Sequence, residues 1–175
     1  GLSNDVVTVG GLASGWQIDL GAGTDTLTLA HHANNLTLLN IETLNAGTSN
    51  DIITFGSELS GVTINLGAGV DTLILGSFNN SLNVANTETI VGGSLADIVS
   101  LTTQALAVTI DLGAGVDRLT LGNFANTATL SNIETVLGNS SADVITILGA
   151  LTGATLNLQA GSDTLTLDHF GNSLT

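Results

Sequence analysis

The sequence predicts an all-β protein that folds as a parallel β-solenoid. Three observations predict this fold. Aspartates recur at an interval of 46 residues, short apolar-alternating runs follow them, and turns rich in Gly, Asn and Ser separate the runs. Self-similarity at a fixed period is typical of solenoids, because each repeat buries its apolar face against its neighbours. We expect about eight two-strand coils in four 46-residue repeats.

The most regular element of the repeat is an aspartate that opens a run such as Asp-Thr-Leu-Thr-Leu. It occurs as Asp25, Asp71, Asp117 and Asp163. A second aspartate keeps the same interval, as Asp5, Asp51, Asp97 and Asp143. A glutamate recurs at this interval as Glu42, Glu88 and Glu134. Two asparagine positions also recur: one is Asn34, Asn80, Asn126 and Asn172, and the other is Asn40, Asn86 and Asn132. Since equivalent residues of a solenoid stack, we expect columns of carboxylates and amides along its axis.

The whole chain, 1–175, is interpreted as one repeat domain and as a segment of a longer array. Its repeats are 1–44, 45–90, 91–136 and 137–175. Each repeat divides again into halves of 20 and 26 residues, and each half contains two strand-like runs. This internal division favours a two-strand coil over the alternative, a single four-strand coil of 46 residues.

Alternation of apolar and polar residues predicts which side of each strand is buried. Ile64 and Leu66 alternate with polar residues, as do Leu73 and Leu75 in the next run. Strands of successive coils must be parallel, because each coil returns to the same place. We therefore expect two parallel sheets that face each other across a thin core of Leu, Ile and Val.

The charge balance limits the possible partners. The formal net charge is −14, from 15 acidic residues against one basic residue, Arg118. Nucleic acids and anionic membranes both need Lys or Arg, so neither is an expected partner. Cations are. The chain has no cysteine and no apolar run of about 18 residues, so thiolate metal sites and a membrane span are not expected.

The turns before the regular aspartates share a glycine motif. Leu20-Gly-Ala-Gly-Thr-Asp-Thr-Leu-Thr28 is close to the calcium-binding nonapeptide G-G-x-G-x-D-x-U-x. The segments 66–74 and 112–120 match equally well, and 158–163 matches less well. Here the chain resembles the RTX, or haemolysin-type calcium-binding, family of secreted bacterial proteins. The resemblance implies a β-roll type of solenoid, calcium as the bound ion, and an extracellular, secreted or cell-surface location.

Calcium also suits these turns on physical grounds. Glycine turns expose several carbonyl oxygens, an adjacent aspartate adds a charged oxygen, and calcium takes six to eight oxygen ligands. The candidate ligands are Asp25, Asp71, Asp117 and Asp163, with Gly21, Gly23, Gly67, Gly69, Gly113 and Gly115 of the good turns and Asp51 and Asp97 of the degenerate turns. The alternative is that each aspartate caps a turn by accepting backbone N–H groups and needs no metal.

The function expected from these observations is structural, and no enzyme activity is expected because no acid–base or nucleophile constellation is evident. We expect a calcium-stabilised segment of a large adhesin, S-layer or extracellular filament, with further copies or repeats stacked end to end. Two alternatives stay open: an accessory module of a secreted enzyme, and a face that binds ice, mineral or glycan. Thr-x-Thr patches at Thr26, Thr28, Thr164 and Thr166 suit the latter, and Ile74 and Arg118 interrupt them.

Overall fold

The computed structural model describes residues 1–174 as strands and turns, which confirms the predicted parallel β-solenoid. Ten strands form one sheet, here named the odd sheet, and nine form the even sheet. The odd sheet contains β1 (Val6–Val9), β3 (Thr26–Leu29), β5 (Thr43–Asn45), β7 (Ser60–Asn65), β9 (Asn80–Ala85), β11 (Asp97–Leu101), β13 (Arg118–Thr120), β15 (Thr135–Asn139), β17 (Thr152–Gln159) and β19 (Ser173–Leu174). The even sheet contains β2 (Ser14–Asp19), β4 (Asn35–Leu39), β6 (Ile52–Phe55), β8 (Thr72–Ile74), β10 (Thr89–Val91), β12 (Leu106–Asp111), β14 (Thr127–Ser131), β16 (Val144–Leu148) and β18 (Thr164–Leu167).

The chain winds as a two-strand coil, because consecutive strands alternate between the sheets and every neighbouring pair within a sheet is parallel. The alternative four-strand coil of 46 residues is therefore excluded. Val6 lies opposite Thr26, and Thr26 lies opposite Thr43, so successive coils are 20 and 17 residues long. These lengths replace the expected 20 and 26.

Each complete 46-residue repeat contains five strands where four were predicted. The additional strands are β5, β10 and β15, which follow the recurring glutamates. Two of them are only three residues long, which is why their alternation was too short to recognise. Because five is an odd number, equivalent positions of successive repeats lie on opposite sheets. Asp25 thus precedes a strand of the odd sheet and Asp71 precedes a strand of the even sheet.

The core is the narrow space between the sheets and follows the predicted alternation. Ile64, Leu73 and Ile110 are fully buried, while their neighbours Thr63, Thr72 and Thr109 lie on the outer faces. The interior is aliphatic apart from Phe55. Within residues 1–174, no helix is long and apolar enough to cross a membrane.

Four strands begin with a bulge that needs a left-handed residue. At β2, β7 and β17 this residue is glycine, namely Gly15, Gly61 and Gly153, with φ of +70°, +68° and +65°. At β12 the equivalent residue is Ala107, with φ of +58°. The left-handed region costs a residue with a Cβ roughly 1–2 kcal/mol relative to its relaxed conformation.

Replacing Ala107 with Gly is therefore expected to increase the free energy of unfolding by about 1 kcal/mol. Chemical denaturation monitored by circular dichroism measures this change. The reciprocal control is Gly61→Ala, which places a Cβ in open space at the equivalent bulge and should destabilise the protein by a similar amount. A loss of stability in Ala107→Gly would contradict the prediction.

Candidate functional site: the buried carboxylate ladders

At the start of most coils, a side-chain oxygen accepts the backbone N–H of the equivalent residue in the preceding coil. The Asp51 N–H donates to Asp71 Oδ1 at 2.7 Å, and the Asp71 N–H donates to Glu88 Oε2 at 2.7 Å. The carbonyl of the same residue is bonded in the sheet, since the Thr72 N–H donates to Asp51 O at 2.8 Å. The side chains thus satisfy buried N–H groups for which the sheet provides no acceptor.

We call each residue in such a series of hydrogen bonds a rung. Along the chain, the rungs follow a fixed order: an apolar residue, Asn, Asp, Asp and Glu. We name the two complete series the even ladder and the odd ladder, after their sheets. The even ladder is Ala13, Asn34, Asp51, Asp71 and Glu88, and the odd ladder is Leu59, Asn80, Asp97, Asp117 and Glu134. Shorter series with the same order are Asp5, Asp25 and Glu42 in the odd sheet and Ala105, Asn126, Asp143 and Asp163 in the even sheet.

The asparagine rung differs chemically from the aspartate rungs, because it both donates and accepts. Asn80 Nδ2 donates to the carbonyls of Gly76 and Phe78, at 3.1 and 3.2 Å, and to Asp97 Oδ1 at 2.8 Å. Its Oδ1 accepts the Leu59 N–H at 3.1 Å. A carboxylate at this position would face two carbonyl oxygens and a second carboxylate.

The sequence analysis identified Glu42, Glu88 and Glu134 as a recurring column but missed their role as acceptors in the ladders. Each accepts the N–H of the preceding aspartate at 2.7 Å through Oε2. The signal that could have identified them is their spacing, since each follows an aspartate by 17 residues, which is one short coil. The asparagines of the other recurring column, Asn40, Asn86 and Asn132, have a left-handed backbone, with φ of 52–54°.

The structure distributes the predicted aspartate ligands of calcium over both sheets, whereas a single column was expected. Asp71 lies next to Asp51 in the even ladder, and Asp117 lies next to Asp97 in the odd ladder. Asp25 belongs to the odd sheet and Asp163 to the even sheet. The expectation that the four regular aspartates form one stack is wrong, because the five-strand repeat places successive members on opposite sheets.

The glycine turns stack directly on the preceding coil. The Ala68 N–H donates to Gly47 O at 3.3 Å, and a Cβ on Gly67 would overlap that carbonyl oxygen. A Cβ on Gly69 would lie 2.9 Å from Ser49 O. The other predicted turn glycines, Gly21, Gly23, Gly113 and Gly115, have the same positive φ and the same close approach to backbone atoms of the preceding turn. Close stacking therefore explains why these positions are glycine.

One oxygen of most ladder aspartates has no partner. Among the described residues, the buried atoms without a hydrogen bond are Oδ2 of Asp25, Asp51, Asp71, Asp117 and Asp143. All five side chains are at most 1% exposed. An ionised carboxylate in such a place is costly unless a proton or a cation compensates it.

The same environment raises the pKa of two of these groups. Burial raises the pKa of Asp71 from 3.8 to about 6; the nearby charges of Glu88 and Asp51 act in the same direction, and the hydrogen bond from the Asp51 backbone opposes them. Burial likewise raises the pKa of Asp117 to about 6, with the Asp97 and Glu134 charges adding to it. Both groups are the second aspartate of a complete ladder.

Among the predicted calcium ligands, Asp25, Asp51, Asp71 and Asp117 have a buried carboxylate oxygen without a hydrogen-bond partner. Over residues 1–174, no three acidic or histidine side chains converge on a point where they could hold a metal. The ladders are columns of oxygens rather than cages. Oδ2 of Asp25, Asp71 and Asp117 has the hard-oxygen character that calcium prefers, whereas the turn glycines pack against the neighbouring coil.

A cleft beside the even ladder has a volume of about 300 Å³. Its lining combines the polar side chains of Asn86, Thr87, Glu88, Thr103 and Gln104 with aliphatic residues. It opens where Thr87 occupies the position of the buried residues Ile41 and Ile133. A smaller side chain at a core position therefore accounts for the cleft.

Comparisons with protein-family models, curated proteins and solved structures find no match for this chain. The resemblance to the RTX family therefore stays a prediction from the turn motif. The fold and the ladders, by contrast, are defined by the geometry of the chain itself.

The asparagine rung generates a first prediction for the site. Asn80→Asp at neutral pH should lower the free energy of unfolding by about 2–3 kcal/mol, because a buried carboxylate replaces the amide that donates to Gly76 O and Phe78 O. Asn83→Asp is the matched control, since it adds the same charge three residues away on the exposed face of β9. Urea denaturation of both variants measures the difference, and equal losses would count against the role of the amide.

The raised pKa values generate a second prediction. The folded state keeps protons on Asp71 and Asp117 up to about pH 6, whereas the unfolded chain releases them near 3.8. Stability from these groups is therefore fully present below about pH 4 and is lost as the pH rises through 6. In calcium-free buffer with a chelator, Tm should fall over this window, and the double variant Asp71→Asn/Asp117→Asn should flatten the curve. A Tm that rises with pH would contradict this prediction.

Proposed function

We propose that this protein is a structural element: a stiff solenoid segment of a large secreted or cell-surface bacterial protein, such as an adhesin, an S-layer or an extracellular filament. The observation that carries this proposal is the continuity of the two sheets and of the core between them. Each coil contacts only its neighbours, so length can be added without changing the architecture. At about 4.8 Å per strand, the ten strands of the odd sheet extend roughly 45 Å along the axis.

We further propose that calcium compensates the charge of the ladders. The support comes from the balance of 15 acidic residues against one basic residue, and from buried carboxylate oxygens that lack a partner. Oxygen-only ligands with no thiolate suit calcium rather than zinc or copper. The resemblance of the Gly-Ala-Gly turns to the RTX motif points to the same ion and to an extracellular location. Asp25, Asp71 and Asp117 would hold the ion through Oδ2, and it would supply positive charge between neighbouring coils.

Thermal unfolding at pH 7.5 tests the proposal. Calcium should raise Tm by several degrees relative to a chelator, because an ion that binds only the folded state stabilises it by mass action. Magnesium should have a smaller effect, because it requires a near-octahedral shell and dehydrates reluctantly.

The matched variants are Asp71→Asn, which removes one buried ladder charge, and Asp111→Asn, which removes a half-buried charge outside the ladders. Asp111 Oδ1 accepts hydrogen bonds from the Gly113 N–H and from Asn132 Nδ2. Asp71→Asn should reduce the calcium-dependent increase in Tm and Asp111→Asn should not. If Tm is the same in calcium and in chelator, calcium is not the compensating ion, and the structural role must rest on the protonated ladders alone.

A further inference from the structure

Six threonines form one unbroken row across the outer face of the even sheet. The register pairs Thr72 with Thr89, Thr89 with Thr109, Thr109 with Thr129, Thr129 with Thr146 and Thr146 with Thr166. We name this row the threonine ladder. It was hidden in the sequence because its members belong to different positions of the 46-residue repeat, and the five-strand repeat aligns them. The interruptions expected from Ile74 and Arg118 lie elsewhere, since Ile74 is in the adjacent row and Arg118 is in the odd sheet.

The side chains of the threonine ladder point to solvent. Thr109 and Thr166 are exposed, and the other four are half-buried by their neighbours within the flat face. The residues that follow them along the strands, such as Leu73 and Ile110, are buried in the core. In the described part of the chain, none of the six hydroxyl groups is hydrogen-bonded to another protein group, so all are available to water.

The surroundings of the threonine ladder carry little charge. The adjacent row on one side contains Ile74, Val91, Asp111, Ser131 and Leu148. The carboxylate of Asp111 accepts hydrogen bonds from the Gly113 backbone and the Asn132 amide. Charged groups order water around themselves in arrangements incompatible with a regular lattice. The threonine ladder itself presents only uncharged hydroxyl and methyl groups, and the one charged residue of this adjacent row is Asp111.

The spacing of the threonine ladder is close to a spacing of ordered water. Parallel strands repeat every 4.7–4.9 Å or so, which sets the distance between neighbouring hydroxyls. Water molecules hydrogen-bonded at about 2.8 Å in tetrahedral geometry have second neighbours about 4.5 Å apart. The difference is roughly 0.3 Å per rung, or about 1.5 Å over five intervals, which is less than the width of one water molecule. Hydroxyls along the whole row can therefore bond to one row of lattice waters.

From this geometry we propose that the outer face of the even sheet is an ice-binding surface, with the threonine ladder as its contact row. The hydrogen-bonded strands hold the threonine backbone in register before binding, so little conformational entropy is lost on contact. A mineral surface fits less well because it presents charge, and the contact row has none. The opposite face is a poorer match: its corresponding row contains Thr26, Thr43 and Thr63, continues with Asn83 and Ser100, and has Arg118 nearby.

Matched variants on the two faces test the proposal. Thr109→Arg/Thr129→Arg changes the middle of the threonine ladder, and Thr63→Arg/Asn83→Arg changes the same repeat positions, 46 residues earlier, on the odd sheet. Thermal hysteresis and partition into a slowly growing ice front are measured for the wild type and both variants. Circular dichroism above the freezing point checks that each variant is folded.

The wild type should show thermal hysteresis and enter the ice. The even-sheet variant should lose about tenfold or more of this activity at equal concentration, and the odd-sheet variant should retain it. If the wild type neither shapes ice nor enters it, the proposal is overturned. Equal losses in the two folded variants would also overturn it, as would wild-type binding to crystalline cellulose or calcium carbonate but not to ice.

Discussion

The structure depends on one requirement: at the apolar, asparagine and aspartate rungs a backbone N–H at the start of the coil bonds no backbone carbonyl, and a side chain of the next coil provides the acceptor. Asp71 and Asp117 meet this requirement with Oδ1, and glutamates meet it with Oε2. Each bond crosses from one coil to the next, so it fixes the register between coils as well as satisfying a donor. The consequence is a line of buried carboxylates, which would be destabilising in isolation.

The order of the rungs limits that cost. Asparagine begins each complete series, two aspartates follow, glutamate comes next, and an apolar residue separates one series from the next in the same sheet. Charge is thereby confined to short stretches of three acidic residues, and the residual charge is left to protons or cations. The turn glycines contribute in a different way, by allowing adjacent turns to approach within hydrogen-bonding distance. Eleven of the 15 acidic residues belong to these series, so most of the negative charge is tied to the architecture.

Much of this fold could be predicted from the sequence, because period and alternation are properties of the residues themselves. The parallel sheets and the inward residues such as Leu73 followed from them. The coil lengths and the fifth strand could not be predicted, because β5 and β10 are too short to display an alternation. That one strand decides which residues stack. Without the fifth strand, the sequence predicts single columns of aspartates, and the threonine ladder cannot be recognised.

The most direct test of the ladder compares Asp71→Asn with Asp71→Ala by native-state hydrogen exchange of the Asp51 amide, in chelator at neutral pH. An asparagine oxygen can accept the Asp51 N–H as the carboxylate does, just as Asn34 accepts the Ala13 N–H. The ladder account predicts that this amide stays protected in Asp71→Asn and exchanges at least tenfold faster, roughly 1.4 kcal/mol, in Asp71→Ala. Equal loss of protection in both variants would contradict it, because the charge of Asp71 rather than its hydrogen bond would then hold the coils together.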